Sequence, residues 1–258
     1  MYKFFIFYVL PPYRQDKKIP VIQKNKTKTY VYDSFYSMIY DDLFYLKERY
    51  KYEASIINSY LKSNFYYIDL CTGTGSSFEF LNSKNVIGID KSLHMLQKAA
   101  DKNKTIMFYK ADINNISYIE PNILFDGIGC FYFGLFYNKN WEEILYKLKQ
   151  KVKINGYLFI SVLDKNNLEV YYKKIKYKDD ILYYSGEYER ANEYPFIIRE
   201  TIQTSIYKLV YRHVMYNPSF TYFEFICKKI GYKIIKKIKY ERFSCGDEYL
   251  FILKNTIY

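Results

Sequence analysis

The stretch Phe65-Tyr-Tyr-Ile-Asp69-Leu-Cys-Thr-Gly-Thr-Gly75 decides the fold of this 258-residue chain. It joins a short apolar run to an Asp-x-x-x-Gly-x-Gly turn, a pattern typical of a buried strand that ends in a ligand-binding loop. The glycines at 73 and 75 let the backbone turn sharply, and they leave no Cβ between the backbone and a ligand. We therefore expect a strand that ends at Leu70 and a ligand on the loop after it.

Strands and helices alternate around this loop. Apolar residues at helical spacing predict one helix over residues 33–62, and Ser76 or Ser77 is expected to begin a helix that ends at Leu81. Further strands are expected at four short apolar runs, residues 85–90, 105–109, 124–131 and 156–162. Helices are expected between the later strands at Leu93–Ala100 and Trp141–Val152. Alternation of this kind predicts a parallel, doubly wound α/β sheet with right-handed crossovers.

The pattern changes after residue 163. Alternation rich in Tyr, Ile and Thr predicts antiparallel strands within residues 165–216. A helix at Pro218–Ile230 and two strands at 232–240 and 248–253 are expected to follow. We expect an antiparallel strand pair to close the parallel sheet.

Acidic residues stand at the ends of three successive strands of this predicted sheet, at Asp69, Asp90 and Asp112. The carboxyl ends of parallel strands share one edge, where ligands bind near the point at which the strand order reverses. We expect Asp90 to accept both ribose hydroxyls of a cofactor and Asp112 to meet an adenine amino group. Phe78 replaces the third glycine of an NAD-type loop, and no Gly-Lys-Ser/Thr sequence occurs, so these two nucleotide-binding classes are excluded.

The chain has a formal net charge of +12, which invites a nucleic-acid partner. Only six of its 39 basic residues are arginine, and Lys, Tyr, Ile, Asn and Phe are in excess, as an AT-rich genome would produce. Protein surfaces that bind phosphate more usually use arginine. We therefore attribute the charge mainly to composition, and RNA stays open as a partner.

The four cysteines form neither a CxxC pair nor a metal-ligand pattern. We therefore expect no metal site, and a reducing compartment such as the cytoplasm. The apolar run Met1–Leu10 is too short to span a bilayer and has no small-residue cleavage site before Pro11-Pro12. We expect it to be a strand or an arm that packs on the surface.

On these residues the sequence resembles the class I S-adenosylmethionine (SAM)-dependent methyltransferases. Ile68–Gly75 looks like the first family motif, and Val86–Leu96 is similar to the second. Ala111-Asp112-Ile113 fits the segment at the edge of adenine. Phe125–Phe131 fits the fourth strand of the family, and Leu148–Ile160 fits the turn before its fifth strand.

The sequence departs from the family at Cys71, which replaces the first glycine of the loop, and at Asn155-Gly156, which replaces Pro-Gly-Gly. The resemblance implies a Rossmann-like, mostly parallel seven-stranded sheet with an N-terminal helical cap and antiparallel C-terminal additions. The expected division is an N-terminal extension of residues 1–30 and a methyltransferase domain of residues 31–258, with its core at 63–163 and an antiparallel acceptor-side insertion at about 165–216.

The resemblance also implies SAM as the cofactor. In-line transfer of its methyl group asks the protein mainly to align two reactants and to exclude water. An apolar side chain at Met95 is expected to face adenine. Residues that match the cofactor-binding motifs are Tyr32, Asp69, Cys71, Thr72, Gly73, Gly75, Asp90, Lys91, Met95, Ala111, Asp112, Ile113, Cys130 and Phe131.

Tyr32-Asp-Ser-Phe-Tyr36 resembles the Tyr-Asp-x-x-Tyr segment of small-molecule N-methyltransferases, including those that act on nucleotide-linked amino sugars. In that subgroup the segment caps the cofactor and a tyrosine reaches the active site, so Tyr36 is the acceptor-site candidate. In a chain with 34 tyrosines, an aromatic stripe packing on the core is the alternative. This opening and the closing Cys245-Gly-Asp-Glu-Tyr-Leu-Phe also look similar to methyltransferase-like proteins of large DNA viruses, which would place the protein in a host cytoplasm.

Of the two histidines, His213 is the candidate base, because its strand is expected to border the acceptor pocket and imidazole titrates near neutral pH. His94 is expected to have a structural role. Phe131–Tyr137 should face the methyl site, where methyltransferases of exocyclic base amines hold Asn/Asp/Ser-Pro-Pro-aromatic. Leu10-Pro-Pro-Tyr13 has a similar order, but Leu10 cannot hydrogen-bond an amine.

The sequence thus predicts transfer of a methyl group from SAM to a small-molecule acceptor, by N- or O-methylation. An RNA or protein methyltransferase that uses the basic surface is one alternative. A non-catalytic module that binds SAM is the other, because the fold alone does not decide among these functions.

Overall fold

The computed structural model describes residues 26–28, 31–120, 122–168, 170–177, 180–189, 193–205, 207–240 and 246–256. Within these residues the α-helices are α1 (Ser34–Phe44), α2 (Lys47–Tyr60), α3 (Leu93–Lys102), α4 (Trp141–Lys151) and α5 (Phe220–Ile230). The strands are β1 (Lys26–Lys28), β2 (Tyr67–Leu70), β3 (Val86–Asp90), β4 (Met107–Lys110), β5 (Phe125–Cys130), β6 (Val152–Leu168), β7 (Tyr171–Tyr177), β8 (Asp180–Glu189), β9 (Phe196–Gln203), β10 (Lys208–Met215), β11 (Tyr232–Lys239) and β12 (Gly246–Asn255). Short 3₁₀ helices span Phe78–Phe80, Ile113–Tyr118 and Gly134–Tyr137. The predictions for Met1–Leu10, Leu10–Tyr13 and Cys245 lie outside the described residues.

Seven strands form a central sheet in the order β11-β12-β6-β5-β2-β3-β4. β2 pairs in parallel with β3 and β5, β3 with β4, and β5 with β6. This confirms the predicted α/β fold with a mostly parallel, doubly wound sheet. Among the described strands of this sheet only β12 runs against the others, because it pairs antiparallel with both β6 and β11. The expected antiparallel pair is therefore one antiparallel strand, and β11 returns to the parallel direction.

The strand order reverses at β2, which has β3 on one side and β5 on the other. Chain segments that leave the carboxyl ends of these neighbours go in opposite directions and open a crevice there. Ile68 of β2, Ile89 of β3 and Ile128 of β5 are buried. Strands buried in this way hold the crevice on a rigid frame, since their apolar side chains pack on both faces of the sheet.

A second sheet has the order β1-β10-β9-β8-β7. Strands β7 to β10 pair antiparallel, as predicted for the residues after 165, whereas β1 adds to β10 in parallel. β1 lies within residues 1–30, where the sequence predicts an irregular extension. α1 packs on this sheet, because Phe35, Ile39 and Leu43 share a buried apolar cluster with Leu182 and Tyr211.

The single helix predicted over 33–62 is two helices, with extended backbone at Tyr45 and Leu46 between α1 and α2. Asp33 is the N-cap of α1 and accepts the Tyr36 N–H at 2.9 Å. The Tyr45 hydroxyl donates to Glu79 at 3.2 Å, across to the segment after the glycine loop. Because apolar spacing continues through the break, the sequence pattern does not reveal it.

The helix predicted for residues 76–81 is only the 3₁₀ turn Phe78–Phe80. Asn58 of α2 occupies the backbone groups at its end. Its Nδ2 donates to Phe80 O at 2.9 Å, and its Oδ1 accepts the Asn82 N–H at 2.9 Å. The Phe80 carbonyl therefore bonds to a side chain and does not continue a helix.

Two further observations concern the helices and the cysteines. None of the helices in the described ranges combines the length and the apolar character that crossing a bilayer requires. Cys71, Cys130 and Cys227 are free thiols.

Candidate active site

A cavity of about 380 Å³ lies at the carboxyl ends of β2, β3 and β5, bordered by the start of α1 and by β10. It occupies the crevice at the reversal of strand order. Gly75 and Cys130, two of the predicted cofactor residues, do not line it. The predicted cofactor residues that do line it are Tyr32, Asp69, Cys71, Thr72, Gly73, Asp90, Lys91, Met95, Ala111, Asp112, Ile113 and Phe131.

The two glycines of the loop after β2 have different surroundings. Both have left-handed backbone, with φ of +56° at Gly73 and +64° at Gly75. A Cβ added at Gly73 would meet no atom within 4 Å, so the backbone there borders open space. A Cβ at Gly75 would lie 3.1 Å from Ala99 Cβ and 3.2 Å from Asn103 Nδ2, both on or next to α3. Gly73 thus leaves room in the cavity, and Gly75 allows the loop to pack on α3.

Cys71 adopts the left-handed conformation of the glycine it replaces, with φ of +55°. Its side chain lies beside Gly134, where an added Cβ would approach Cys71 Cβ to 2.6 Å. Gly134 therefore makes room for the cysteine, and the loop keeps its turn despite the departure from the family motif.

Asp90 connects the loop to the end of β3. Its Oδ2 accepts the Gly73 N–H at 2.9 Å, and its Oδ1 accepts the Ser92 N–H at 2.7 Å. Burial raises the pKa of Asp90 to about 6, although the backbone hydrogen bonds from Ser92 and Gly73 act against the shift. Each carboxylate oxygen can accept a second hydrogen bond, so both can still receive a ligand hydroxyl.

Ser92 fixes the segment before α1. It is the N-cap of α3, and its Oγ accepts the Met95 N–H at 3.3 Å. The same hydroxyl donates to the carbonyl oxygen of Tyr32 at 2.6 Å. The Tyr32 backbone is therefore held beside the end of β3, which places this residue at the cavity.

Asp112 begins the 3₁₀ helix after β4. Its Oδ1 accepts the Asn114 N–H at 2.9 Å and its Oδ2 lies 3.0 Å from Lys91 Nζ. Burial alone would raise the pKa of Asp112, but the hydrogen bonds from Asn114 and Lys91 outweigh it and lower the pKa. Asp112 is thus an ionised acceptor at the cavity, already shared with Lys91.

Asp41 of α1 links the helical cap to the glycine loop. Its Oδ1 accepts the Thr74 hydroxyl at 2.6 Å, and its Oδ2 accepts a hydrogen bond from Lys102 of α3 at 2.9 Å. Tyr40, the residue before it, lines the cavity. The position of this cavity wall therefore depends on the contact between α1 and the loop.

Two carboxylates lie together at one end of the cavity. Asp69 is the second-last residue of β2 and accepts the Thr72 hydroxyl at 2.8 Å. Glu53 of α2 lines the same cavity. Burial raises the pKa of each to about 7. The negative charge of Glu53 further raises the pKa of Asp69, and the negative charge of Glu248 further raises the pKa of Glu53.

Glu53 belongs to a buried ion-pair network around Arg49. Arg49 donates from Nε to Glu53 Oε1 at 2.8 Å and from Nη2 to Glu248 Oε1 at 2.6 Å. Its guanidinium carbon lies 3.9 Å from the Tyr132 ring centroid and 4.7 Å from that of Tyr240. One guanidinium thus serves two carboxylates, so this end of the cavity attracts positive charge.

Another buried carboxylate, Glu200, lies behind the wall that carries His213. His213 lines the cavity, with its Nδ1 2.6 Å from the Tyr137 hydroxyl and its Nε2 2.8 Å from Glu200 Oε2. The Tyr36 and Tyr184 hydroxyls each donate to Glu200 at 2.6 Å. The wall that carries His213 therefore rests on a carboxylate held by hydrogen bonds from two tyrosines.

The two predicted catalytic residues are placed differently. His213 lines the cavity, but Tyr36 does not, because its hydroxyl turns to Glu200 and its side chain is 1% exposed within the cluster under α1. Tyr36 is thus one layer behind the wall where an acceptor contact was expected. His94, expected to be structural, is half-buried on α3 and does not line the cavity.

The segment Phe131–Tyr137 was expected to face the cavity, and Tyr132 and Tyr137 line it. Sequence reasoning missed two carboxylates of this region, Glu53 and Glu200. Nothing local in the sequence marks Glu53, which occupies what looks like a solvated position on a helix. Glu200 carries no motif either, since its role depends on the strand pairing that brings β9 beside β10.

The comparisons with known proteins agree with this arrangement. Residues 68–156 match the family described as "Methyltransferase domain". None of the curated protein sequences matches the chain significantly.

This chain matches solved structures with the same fold over nearly the full length of those structures. The amino pentose methyltransferase CalS10 from Micromonospora echinaspora has a TM-score of 0.70 at 11% identity, over 89% of this chain and 99% of that one. The sugar N-methyltransferase KedS8 from Streptoalloteichus sp has a TM-score of 0.65 at 14% identity, over 95% and 100%. A SAM-dependent methyltransferase from Clostridium acetobutylicum has a TM-score of 0.63 at 18% identity, over 86% and 96%.

The sequence predicted S-adenosyl-L-methionine as the cofactor, and the CalS10 structure, which has this fold, is one with SAM bound. At such low identities the likeness to the solved structures establishes the fold. The described chain therefore has the fold of the class I SAM-dependent methyltransferases, and its residues 68–156 match the methyltransferase-domain family.

Proposed function

We propose that this protein transfers the methyl group of SAM to a small-molecule acceptor. The observation that carries the proposal is the junction of Gly73, Asp90 and Asp112 at one cavity, where the strand order of the sheet reverses. When bound, SAM supplies a methyl group on a positively charged sulfur. The protein's contribution is to hold this group against an acceptor and to keep water away.

The residues at the cavity fit the parts of this cofactor. Asp90 has an unused acceptor site on each carboxylate oxygen for a ribose hydroxyl, and Asp112 is an ionised acceptor for the adenine amino group. Met95 and Ile113 offer apolar surface to the base. Gly73 leaves open space in which the cofactor can approach the backbone.

The charged tail of SAM fits the opposite end. Glu53 and Asp69 are two buried carboxylates next to each other, and Arg49 compensates Glu53 only in part because it also pairs with Glu248. An ammonium or sulfonium group there would replace the protons that the carboxylates hold near neutral pH. We assign the cationic part of the cofactor to these two residues.

A small polar acceptor suits the remaining wall. That wall consists of Tyr32, Tyr137, His213 and Arg212, with polar groups set among aromatic rings. CalS10 and KedS8, which share the fold, are described as methyltransferases of an amino pentose and of a sugar nitrogen. By analogy the proposed acceptor is a small polar molecule that carries an amine or a hydroxyl group. The proposal includes a cytoplasmic location, which the free thiols of Cys71, Cys130 and Cys227 support.

Titration calorimetry with SAM, followed by a radiolabelled-methyl transfer screen over amines, sugars, RNA and protein, tests the proposal. We expect saturable SAM binding and transfer to a small molecule. Absence of binding at millimolar SAM would refute the enzyme, and transfer to RNA or protein alone would refute the acceptor class.

A matched pair of variants assigns the site. Asp90→Asn should abolish SAM binding, because it weakens acceptance of both the Gly73 N–H and a ribose hydroxyl. Asp101→Asn is the control, since this residue pairs with Lys104 on the outer side of α3 and does not line the cavity. Equal SAM affinity in the two variants would remove Asp90 from the cofactor site.

A further inference from the structure

A line of close polar contacts runs from the cavity wall to a buried carboxylate. The Tyr32 hydroxyl donates to the Tyr137 hydroxyl at 2.9 Å, and the Tyr137 hydroxyl lies 2.6 Å from His213 Nδ1. His213 Nε2 in turn lies 2.8 Å from Oε2 of Glu200. Tyr32, Tyr137 and His213 line the cavity, whereas Glu200 lies behind them on β9.

Glu200 sets the direction of this line. Burial by itself raises the pKa of Glu200, but the attraction of a protonated His213 and the hydrogen bonds from Tyr184 and Tyr36 act against it and lower the pKa. When His213 is neutral, the two tyrosine hydroxyls still donate to the Glu200 carboxylate. An ionised carboxylate only accepts hydrogen bonds, so the hydrogen of the imidazole belongs on Nε2. Nδ1 is then the acceptor, and the Tyr137 hydroxyl must donate to it. Every donor in the line therefore points away from the cavity and towards Glu200.

We propose that Tyr32, Tyr137, His213 and Glu200 form a proton relay that accepts the proton lost by the methyl acceptor. In this relay Tyr32 receives the proton at the cavity, His213 holds it at the end, and Glu200 stabilises the imidazolium. Tyr36 and Tyr184 are positioning residues, because they act only by fixing the Glu200 carboxylate.

The inference rests on the proposed function, and its atoms balance as follows. The carbon–sulfur pair stays on sulfur, and the new bond to the methyl carbon uses the electron pair that the acceptor atom gains when it first loses one proton. That proton moves to the Tyr32 oxygen while the Tyr32 proton moves to Tyr137 and the Tyr137 proton moves to His213 Nδ1. Both tyrosines end neutral, which suits side chains whose pKa burial raises above the ordinary value.

The relay indicates what kind of acceptor this cavity takes. An imidazole takes a proton from an ammonium group far more readily than from an alcohol. Aromatic rings with an ionised carboxylate behind them also favour a cation at this wall. The acceptor should therefore be an amine that enters as an ammonium ion, which the relay converts into the neutral nucleophile.

Other groups around His213 do not compete for this role. The rings of Tyr137, Tyr32 and Tyr36 have centroids 5.7, 6.1 and 6.5 Å from the imidazole centroid. Arg212, its neighbour on β10, pairs with Glu189 at 3.3 Å. Glu200 is therefore the carboxylate in direct contact with the imidazole among the described residues.

Nitrogen NMR of protein labelled with ¹⁵N-histidine tests the relay without any turnover. The chain has two histidines, so His94→Gln identifies the His213 signals. We expect a protonated Nε2 and an unprotonated Nδ1 in the wild type, and a mixture of both tautomers in Glu200→Gln. A hydrogen on Nδ1 in the wild type would overturn the relay, and so would an unchanged tautomer in a folded Glu200→Gln.

Kinetics test the same line through a more conservative change. Tyr137→Phe should lower kcat about a hundredfold for an amine acceptor such as glucosamine, as expected when a proton path is cut. Its SAM affinity, measured by calorimetry, should stay within about twofold. Tyr211→Phe is the control, because it removes a buried hydroxyl on β10, 3.4 Å from Asp33, that lies outside the relay.

The outcomes separate the relay from the proposed function. If Tyr137→Phe and Tyr211→Phe have the same kcat, or if glucose is methylated and no amine is, the relay is wrong although methyl transfer stands. If the wild type binds no SAM, the proposed function fails, and the tautomer of His213 still decides whether the hydrogen-bond line exists.

Discussion

The backbone N–H of Gly73 donates to Oδ2 of Asp90 at 2.9 Å, and this bond joins the loop after β2 to the carboxyl end of β3. A loop that turns with left-handed backbone at Cys71, Gly73 and Gly75 would otherwise have many conformations open to it. The bond selects one of them, and the same carboxylate keeps an acceptor site on each oxygen. The Asp90 side chain therefore stabilises the loop and can also bind a ligand.

Alanine at the two loop glycines should separate ligand binding from stability. Gly73→Ala costs about 1 kcal/mol of backbone strain, and its Cβ enters the open space where the cofactor is proposed to lie. We expect SAM affinity to fall about tenfold or more. Calorimetry gives the affinity and a thermal melt gives the stability.

Gly75→Ala is the matched variant, since it has the same left-handed strain but a Cβ 3.1 Å from Ala99. It should lose about 2–3 kcal/mol of stability through the displaced α3 packing. The interpretation of the loop is wrong if Gly73→Ala binds SAM like the wild type, or if the two variants melt at the same temperature.

SAM affinity should depend on pH between about pH 5.5 and pH 7.5. Burial raises the pKa of Glu53 and of Asp69 to about 7, so both hold protons below that pH. A cation binds the ionised carboxylates better, so affinity rises as pH rises through 7 and levels off above it. We expect about a tenfold increase over this range by calorimetry.

Adenosine provides the control for this dependence, because it lacks the charged tail. Its affinity should follow only Asp90, whose pKa burial raises to about 6, and should change little above pH 7. Glu53→Gln removes one titrating group and should reduce the slope for SAM. A SAM affinity that falls with rising pH, or a slope equal to that of adenosine, would contradict the assignment of the tail to these carboxylates.

Loss of Arg49 should destabilise the fold strongly. Arg49→Met leaves Glu53 and Glu248 buried without their partner, and breaking a buried pair in this way costs about 3–5 kcal/mol. Urea unfolding measures the difference. Lys51→Met on the same helix is the control, because its pair with Glu48 is exposed and should contribute less than about 1 kcal/mol. Equal unfolding midpoints would show that the network adds no stability.

The contact between α1 and the glycine loop should control how tightly SAM is held. Asp41→Ala removes the acceptor for Thr74 and Lys102, so α1 and its Tyr40 lose their fixed position at the cavity. We expect SAM affinity to fall about fivefold with faster dissociation, measured by calorimetry and stopped-flow fluorescence. Asp42→Ala is the control on the next residue, whose side chain is exposed. Indistinguishable dissociation rates in these variants would exclude a cap role for Asp41.

Local sequence signals predicted the sheet and its loop well. The strands β2, β3 and β4 and the acidic residue at the carboxyl end of each are encoded within a few residues, so they could be recognised without a structure. The break at Tyr45 and Leu46 could not, because helical spacing runs through it.

Local sequence signals do not identify Glu53, which lines the cavity, or Glu200, which lies behind its wall. Glu53 looks like a solvated helix position until α2 is packed beside Arg49 and Glu248, which lies 199 residues from Arg49 in the chain. Glu200 gains its role only when β9 pairs with β10 and α1 brings Tyr36 over it. The motif around Tyr36 did point to the right region, but its hydroxyl supports the wall while Tyr137 and Tyr32 form it.

The short strand β1 has a consequence for handling this protein. Lys26–Lys28 pairs in parallel with Leu209–Tyr211 and thereby occupies the free side of β10, the strand that carries His213. Without these three residues β10 would present a row of unpaired backbone N–H and C=O groups, which is a template for pairing between molecules. A version trimmed to begin at α1 should therefore self-associate through that edge, even with every residue of the cavity intact.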